Sequence, residues 1–222
     1  MKVLILPGGT SPYGKSKKHC DSYTDILRAI RSVNAQAEVS VVTYPGQRNV
    51  EGIQIGELTY LSSLQAVQKE VAKGQGKDIR LVCVCWGCQI GAAICALGDK
   101  TVKKTLFWAP VPFWKLYETC VLSDKLWAGQ EEVRGVKVTP RTMDGITPFE
   151  FSLQKITDTS CCVAAGTYDE YVTSSALCYF ESLIPQKDNF RFHNITGCSH
   201  MVNKTDPGWV TFESLILRWL LE

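Results

Sequence analysis

Strand-like and helix-like segments take turns along this 222-residue chain, and that alternation constrains the fold more than any other feature. Residues 3–6, 38–44, 81–84, 105–108, 160–165 and 190–195 read as short strands rich in apolar and β-branched side chains. Residues 20–33, 59–71, 89–97, 174–183 and 209–221 carry helical spacing instead, with Tyr23, Ile26, Leu27 and Ile30 on one face of the first. Such alternation predicts the α/β class, a mainly parallel central sheet flanked by helices. The length suits one domain, 1–222, with a sizeable core. Over residues 111–157 the pattern breaks around Pro112, Phe113, Trp114, Trp127, Pro140, Pro148 and Phe149, which marks a probable insertion of cap or lid type.

Composition removes several classes. A formal net charge of +2 gives no reason to expect nucleic acid or an anionic membrane, and no apolar run approaches the ~20 residues of a membrane span. Residues 1–7 are too short for a signal peptide. Ten cysteines suggest disulfides at first sight, but Cys83, Cys95, Cys161, Cys162 and Cys178 fall in predicted core elements, where cysteine behaves as a small hydrophobe. Reduced cysteines and a cytoplasmic location are therefore expected, and Asn194 and Asn203 match the glycosylation sequon by chance. No cluster of His, Cys and carboxylate has ligand spacing, so neither metal nor organic cofactor is implied.

Three predicted strands end on chemistry. The run 78–84 stops at Cys85, and Trp86-Gly87-Cys88 opens a small-residue helix pattern. A thiol there stands above the sheet edge with a helix N-terminus aimed at it, which favours thiolate. Asp169 follows the fifth strand and His200 the sixth. Parallel sheets place ligands at the carboxyl ends of their strands. Nucleophile, acid and base in that order form a triad in which Asp169 orients His200 and His200 serves Cys85. Glu170 and Asp158 compete less well for the acid, since one is displaced by a residue and the other precedes its strand; His193 and His19 read as structural and loop histidines. An oxyanion would need donors: the N–H of Trp86, and that of Gly9 (Thr10 being the neighbouring alternative) in the loop after the first strand.

On these residues the chain resembles an α/β-hydrolase reduced to its core. Cys83-Val84-Cys85-Trp86-Gly87-Cys88 is similar to the cysteine form of the nucleophile elbow in dienelactone hydrolases, and Gly166-x-x-Asp169 and Gly197-x-x-His200 match the acid and base segments. Cys83 and Cys88 stand where glycine is usual, and Pro7 where many members carry histidine. The resemblance implies a minimal α/β-hydrolase fold with 111–157 as the cap, and a small-molecule or carrier-bound acyl substrate. Its Trp114, Trp127 and Phe149, with Trp108, would either line an acyl pocket or simply fasten the cap to the body. The implied activity is hydrolysis of an activated ester, thioester or lactone, with acyl transfer or cyclisation as the variant on the same chemistry.

Two motifs suggest other readings. Gly9 to Ser16 satisfies the P-loop pattern, but Lys17-Lys18-His19 then continues polar where a P-loop helix should turn apolar. Cys85-x-x-Cys88 at a helix start has the spacing of a thiol–disulfide oxidoreductase, or of a reversible switch on the hydrolase. A non-catalytic binding protein on the same fold is the third class.

Overall fold

A computed structural model describes residues 1–10, 12–13, 19–120, 136, 139–184 and 188–222. Six strands form one wholly parallel sheet: β1 (Lys2–Leu6), β2 (Glu38–Val41), β3 (Ile79–Val84), β4 (Val102–Trp108), β5 (Ser160–Gly166) and β6 (Phe190–Ile195). Their order across the sheet is β2-β1-β3-β4-β5-β6. Every residue of β1 and β3 is buried, as expected of central parallel strands covered on both faces, whereas β2 and β6 are half-exposed edges. The chain travels outward from β1 to β2, then crosses back to β3 and continues the other way. The crevice between the carboxyl ends of β1 and β3 is therefore the topological switch point, where open α/β sheets hold their ligands.

The helices follow the predicted pattern. α1 (Asp21–Val33) packs against the C-terminal helix, α7, which is α over Trp209–Thr211, π over Phe212–Leu217 and α again over Arg218–Leu221. α2 (Tyr60–Ala72), closed at its start by a Thr59–Ser62 capping box, lies beside α3 (Trp86–Ala96), and α6 (Ser174–Ser182) covers β5 and β6. α3 is buried almost all round, which explains its uniformly small, apolar sequence.

The stretch 111–157 contains α4 (Phe113–Cys120), a 3₁₀ turn (Pro140–Met143) and α5 (Phe149–Lys155). Its last part belongs to the body of the domain. Phe149 and Leu153 are wholly buried, and Phe149 meets Phe107 and Phe180 edge-on at ring distances of 5.2 and 5.1 Å. Buried Gln89 of α3 fastens both ends of the stretch, donating to the Val111 carbonyl and accepting from the Phe149 N–H. Glu150 accepts the Phe113 N–H at the start of α4. No helix among the described residues is long and apolar enough to cross a membrane.

A close approach of backbone to backbone joins α3 to β1. A Cβ on Gly87 would overlap the Leu6 carbonyl and lie 2.9 Å from that of Pro7, both rigid backbone. Gly87→Ala should therefore cost about 2–3 kcal/mol, the scale of overpacking against atoms that cannot move aside. Urea unfolding measures it; an unshifted midpoint would mean the approach is loose.

Candidate active site

Cys85 joins β3 to α3 with φ 52° and ψ −111°, a region that side-chain-bearing residues rarely enter. The turn is held on several sides. The Cys85 N–H continues the sheet by donating to the Trp108 carbonyl (3.0 Å), and the Cys88 N–H donates back to the Cys85 carbonyl (2.9 Å). Gly87 lets the helix start close against β1. Strain of this kind costs roughly 1–3 kcal/mol and persists only where the surroundings impose it. Its result is a half-buried thiol at the carboxyl rim, with the first turn of α3 beneath it.

Asp169 and His200 sit on loops that are zipped together. After β5 and β6 the Thr167 N–H donates to Ile195, the Tyr168 N–H to Cys198, and the Gly197 N–H to the Thr167 hydroxyl. A Cβ on Gly166 would overlap the Cys198 carbonyl, so the two loops meet without a gap. This brings the His200 Nδ1–H to Asp169, 2.9 Å from Oδ2 and 3.0 Å from Oδ1. Asp169 Oδ1 also accepts the N–H groups of Tyr171 and Val172, which orients the carboxylate; the N-cap position of α6 is Thr173, whose side chain makes no capping hydrogen bond. The Asp169 side chain is fully buried and that of His200 largely so.

With Nδ1 on Asp169, the other edge of the ring is left for Cys85, whose sulfur is near enough to help raise the imidazole. Burial works against charge on the ring, but hydrogen bonds to Asp169 and Cys85 and the charges of both outweigh it, pushing His200 up to about 10. His19 and His193 are moved the other way, below 6.5, first by burial and then by nearby arginines.

The His200 carbonyl and the segment around it are pinned as well. The Trp108 indole N–H donates to the His200 carbonyl (2.9 Å), Ser22 donates to the Met201 carbonyl, and Asp206 accepts from the N–H and hydroxyl of Ser199. Tyr171 leans on the imidazole at 5.0 Å. Nothing in the sequence distinguished Trp108 as an anchor of the base.

The expected donors of the oxyanion hole also converge. The Trp86 N–H opens α3 directly after the sulfur, and the Gly8–Gly9 segment lies against Cys85 and Trp86: a Cβ on Gly8 would sit 3.4 Å from that of Cys85, and one on Gly9 4.0 Å from that of Trp86. Neither the Trp86 nor the Gly9 N–H has a partner among the described residues.

The expected acyl-pocket residues do not form one group. Trp108 and Phe149 are 0% exposed and packed in the core, so neither has surface to offer a substrate; this corrects the expectation that they line a pocket. Aromatic neighbours explain it, since Trp108 meets Phe212 edge-on at 4.9 Å. Trp114 is exposed on α4, and Trp127 lies outside the described residues.

The rival motifs fare less well. Gly14, Lys15 and Ser16 lie outside the described residues, while α1 begins only at Asp21 and Asp169 is committed to His200. Cys88 is fully buried, its thiol facing the Cys83 and Trp108 carbonyls, and burial pushes it well up, which disfavours the thiolate that disulfide exchange needs. Cys85 and Cys88 are both free thiols.

No family model and no curated protein matches the sequence. Solved structures do. Est1E from Butyrivibrio proteoclasticus with ferulic acid bound aligns with a TM-score of 0.70 at 14% identity, over 100% of this chain and 88% of that one. A bromoperoxidase from Bacillus anthracis gives 0.70 at 16% identity, over 100% and 92%. The thioesterase domain from the curacin biosynthetic pathway gives 0.66 at 13%, over 98% and 90%. At such identities the likeness establishes architecture: the chain has the α/β-hydrolase fold.

The three histidines provide a direct test. In imidazole NMR, His200 should stay protonated to about 10 while His19 and His193 titrate below 6.5. A base raised above its unfolded value of about 6.5 contributes stability that is complete below that pH and lost as pH rises through about 10. Asp169→Asn should remove that alkaline slope and bring His200 down. A His200 that titrates with the other two would contradict the relay.

Proposed function

We propose that this protein is an acyl hydrolase that works through Cys85. The observation carrying the reading is the His200–Asp169 hydrogen bond with Cys85 beside the same imidazole, set at the carboxyl rim of an α/β-hydrolase sheet. Neighbours of the same fold include an esterase with ferulic acid bound and a thioesterase domain, which supports the acyl class.

The Cys85 thiolate attacks the carbonyl carbon of the donor, forming a C–S bond while the carbonyl electrons move onto oxygen. The N–H groups of Trp86 and Gly9 hold that oxyanion. As it collapses, the bond to the leaving group breaks and the leaving group takes the proton from His200. The product is a thioester on Cys85. Part of what holds the His200 proton comes from Cys85. Once the sulfur is acylated that part is gone, so the imidazole is freed to act as a base. It takes a proton from water, hydroxide adds to the thioester, and expulsion of the thiolate releases the acid and restores the starting state.

Sulfur chemistry narrows the donors. Thiolate leaves a tetrahedral intermediate more readily than alkoxide, so forward reaction requires a leaving group at least as good. Thioesters and enol or aryl esters satisfy this, as do lactones whose ring oxygen leaves as an enolate or phenolate; ordinary amides do not. An acceptor other than water would make the same site a transferase.

Intact-mass analysis after exposure to a panel of thioesters and lactones should show one acyl adduct on the native protein. Cys85→Ala should abolish it and reduce turnover by about 10³-fold or more, the scale of losing a nucleophile. Adduct formation that survives Cys85→Ala in a folded protein would end the assignment.

A further inference from the structure

From the way the loop after β1 is held, we infer that Gln47 is a positioning residue that aims the Gly9 N–H at the oxyanion; the inference rests on the acyl-transfer reading of Cys85. Gln47 follows the Pro45-Gly46 turn beyond β2, in a segment with no catalytic signature, yet it is only 2% exposed. Its side-chain amide donates to the Gly8 carbonyl at 3.0 Å and to the Thr10 carbonyl at 2.8 Å, and its oxygen accepts the Tyr44 N–H at 3.0 Å. That set of partners fits one orientation of the amide alone, since two carbonyls demand the nitrogen and an N–H demands the oxygen. The Gln47 backbone is itself fixed by an antiparallel bridge to Val136.

Peptide planarity turns this anchorage into direction. Among the described residues no peptide is cis, so the Gly8 carbonyl and the Gly9 N–H project to opposite sides of one rigid plane. Gln47 pulls the carbonyl to its own side and thereby turns the Gly9 N–H to the other. The preceding peptide is fixed independently, because the Gly8 N–H donates to the hydroxyl of fully buried Tyr23 at 2.7 Å. Glycine at 8 and 9 would otherwise let this plane rotate freely, at a position where the segment already lies against Cys85 and Trp86. An oxyanion donor is effective when its direction is set before the charge arrives, and Gln47 is the group that sets it.

Two reactions at the same sulfur separate this role from a merely structural one. Alkylation by iodoacetamide displaces iodide at a saturated carbon and develops no oxyanion; acetylation by p-nitrophenyl acetate does. Gln47→Met removes both donors at similar volume, and Gln47→Glu keeps the acceptor for Tyr44 while facing two carbonyls with a carboxylate. In both variants acetylation of Cys85 should slow by about 10- to 100-fold, below the full loss of an oxyanion donor. The half-saturating ester concentration should not change, and alkylation should stay within about twofold of the native rate. In Gln47→Glu, acetylation should recover as pH falls far enough to protonate the introduced carboxyl, which then donates again. Equal losses in both reactions, or no loss in either, would overturn the role assigned to Gln47. Failure of the native protein to acetylate Cys85 at all would instead overturn the acyl-transfer reading and this inference with it.

Discussion

The catalytic rim depends on one close approach, the start of α3 lying against the carbonyl end of β1. Gly87 permits it because any Cβ there would run into the Leu6 and Pro7 carbonyls. Pressed down in this way, the chain must reverse sharply between β3 and α3, and the reversal puts Cys85 into a left-handed conformation that lifts its thiol out of the sheet. The same approach lays Gly8 and Gly9 against Cys85 and Trp86. The proposed nucleophile and the proposed oxyanion loop are thus two consequences of one packing constraint, located where strand order reverses between β1 and β3. Cys83, larger than the glycine usual there, is accommodated on the far side of the strand: α3 has Gly91 opposite it, where a Cβ would overlap the Cys83 sulfur.

Around that constraint the protein arranges buried polar groups whose partners are mostly backbone. Trp108 holds the carbonyl of the base, Tyr23 and Gln47 hold the loop after β1, and Gln89 holds both ends of the stretch between β4 and β5. Each would be costly to bury unpaired, and each is paired, so the cost of desolvation is converted into fixed geometry. Loops are ordinarily the mobile parts of such folds; here the loops carrying the nucleophile's partners are tied to the core by side chains from other elements.

The strands and helices were legible because their signals are local. Periodicity places α1, α2 and β6 almost to the residue, and the order of Cys85, Asp169 and His200 along the chain was enough to bring them to one rim. Where local signals conflict, the sequence misleads. β4 starts at Val102 rather than Thr105 because Lys103 and Lys104 look like loop residues; Lys104 in fact reaches the Trp219 carbonyl (2.9 Å) and ring (5.4 Å). β2 ends at Val41 rather than Tyr44 because the Tyr44 N–H is captured by Gln47 instead of a strand. Trp108 and Phe149 were read as pocket aromatics because burial is a property of the assembled fold, and their neighbours Phe212 and Phe180 lie far along the chain. Gln47 carries no sequence signal at all: a glutamine after Pro-Gly reads as a solvated turn until the loop it holds is seen.

The two thiols of Cys85-x-x-Cys88 show how far environment overrides spacing. They share one helix turn, yet Cys88 points into the sheet, where its S–H donates to the carbonyls of Cys83 and Trp108 and burial keeps the proton on sulfur. Cys85 points to the rim, where His200, carrying the proton that Asp169 helps it keep, is within hydrogen-bonding reach. Under the proposed function this asymmetry gives Cys85 the chemistry and leaves Cys88 to packing. Under the acyl-transfer mechanism proposed above, the site would adjust itself, since the imidazole would lose the part of its hold on the proton that comes from Cys85 once the sulfur is acylated. A single imidazole can then supply a proton in the first half of an acyl transfer and remove one in the second, with no other group required to titrate.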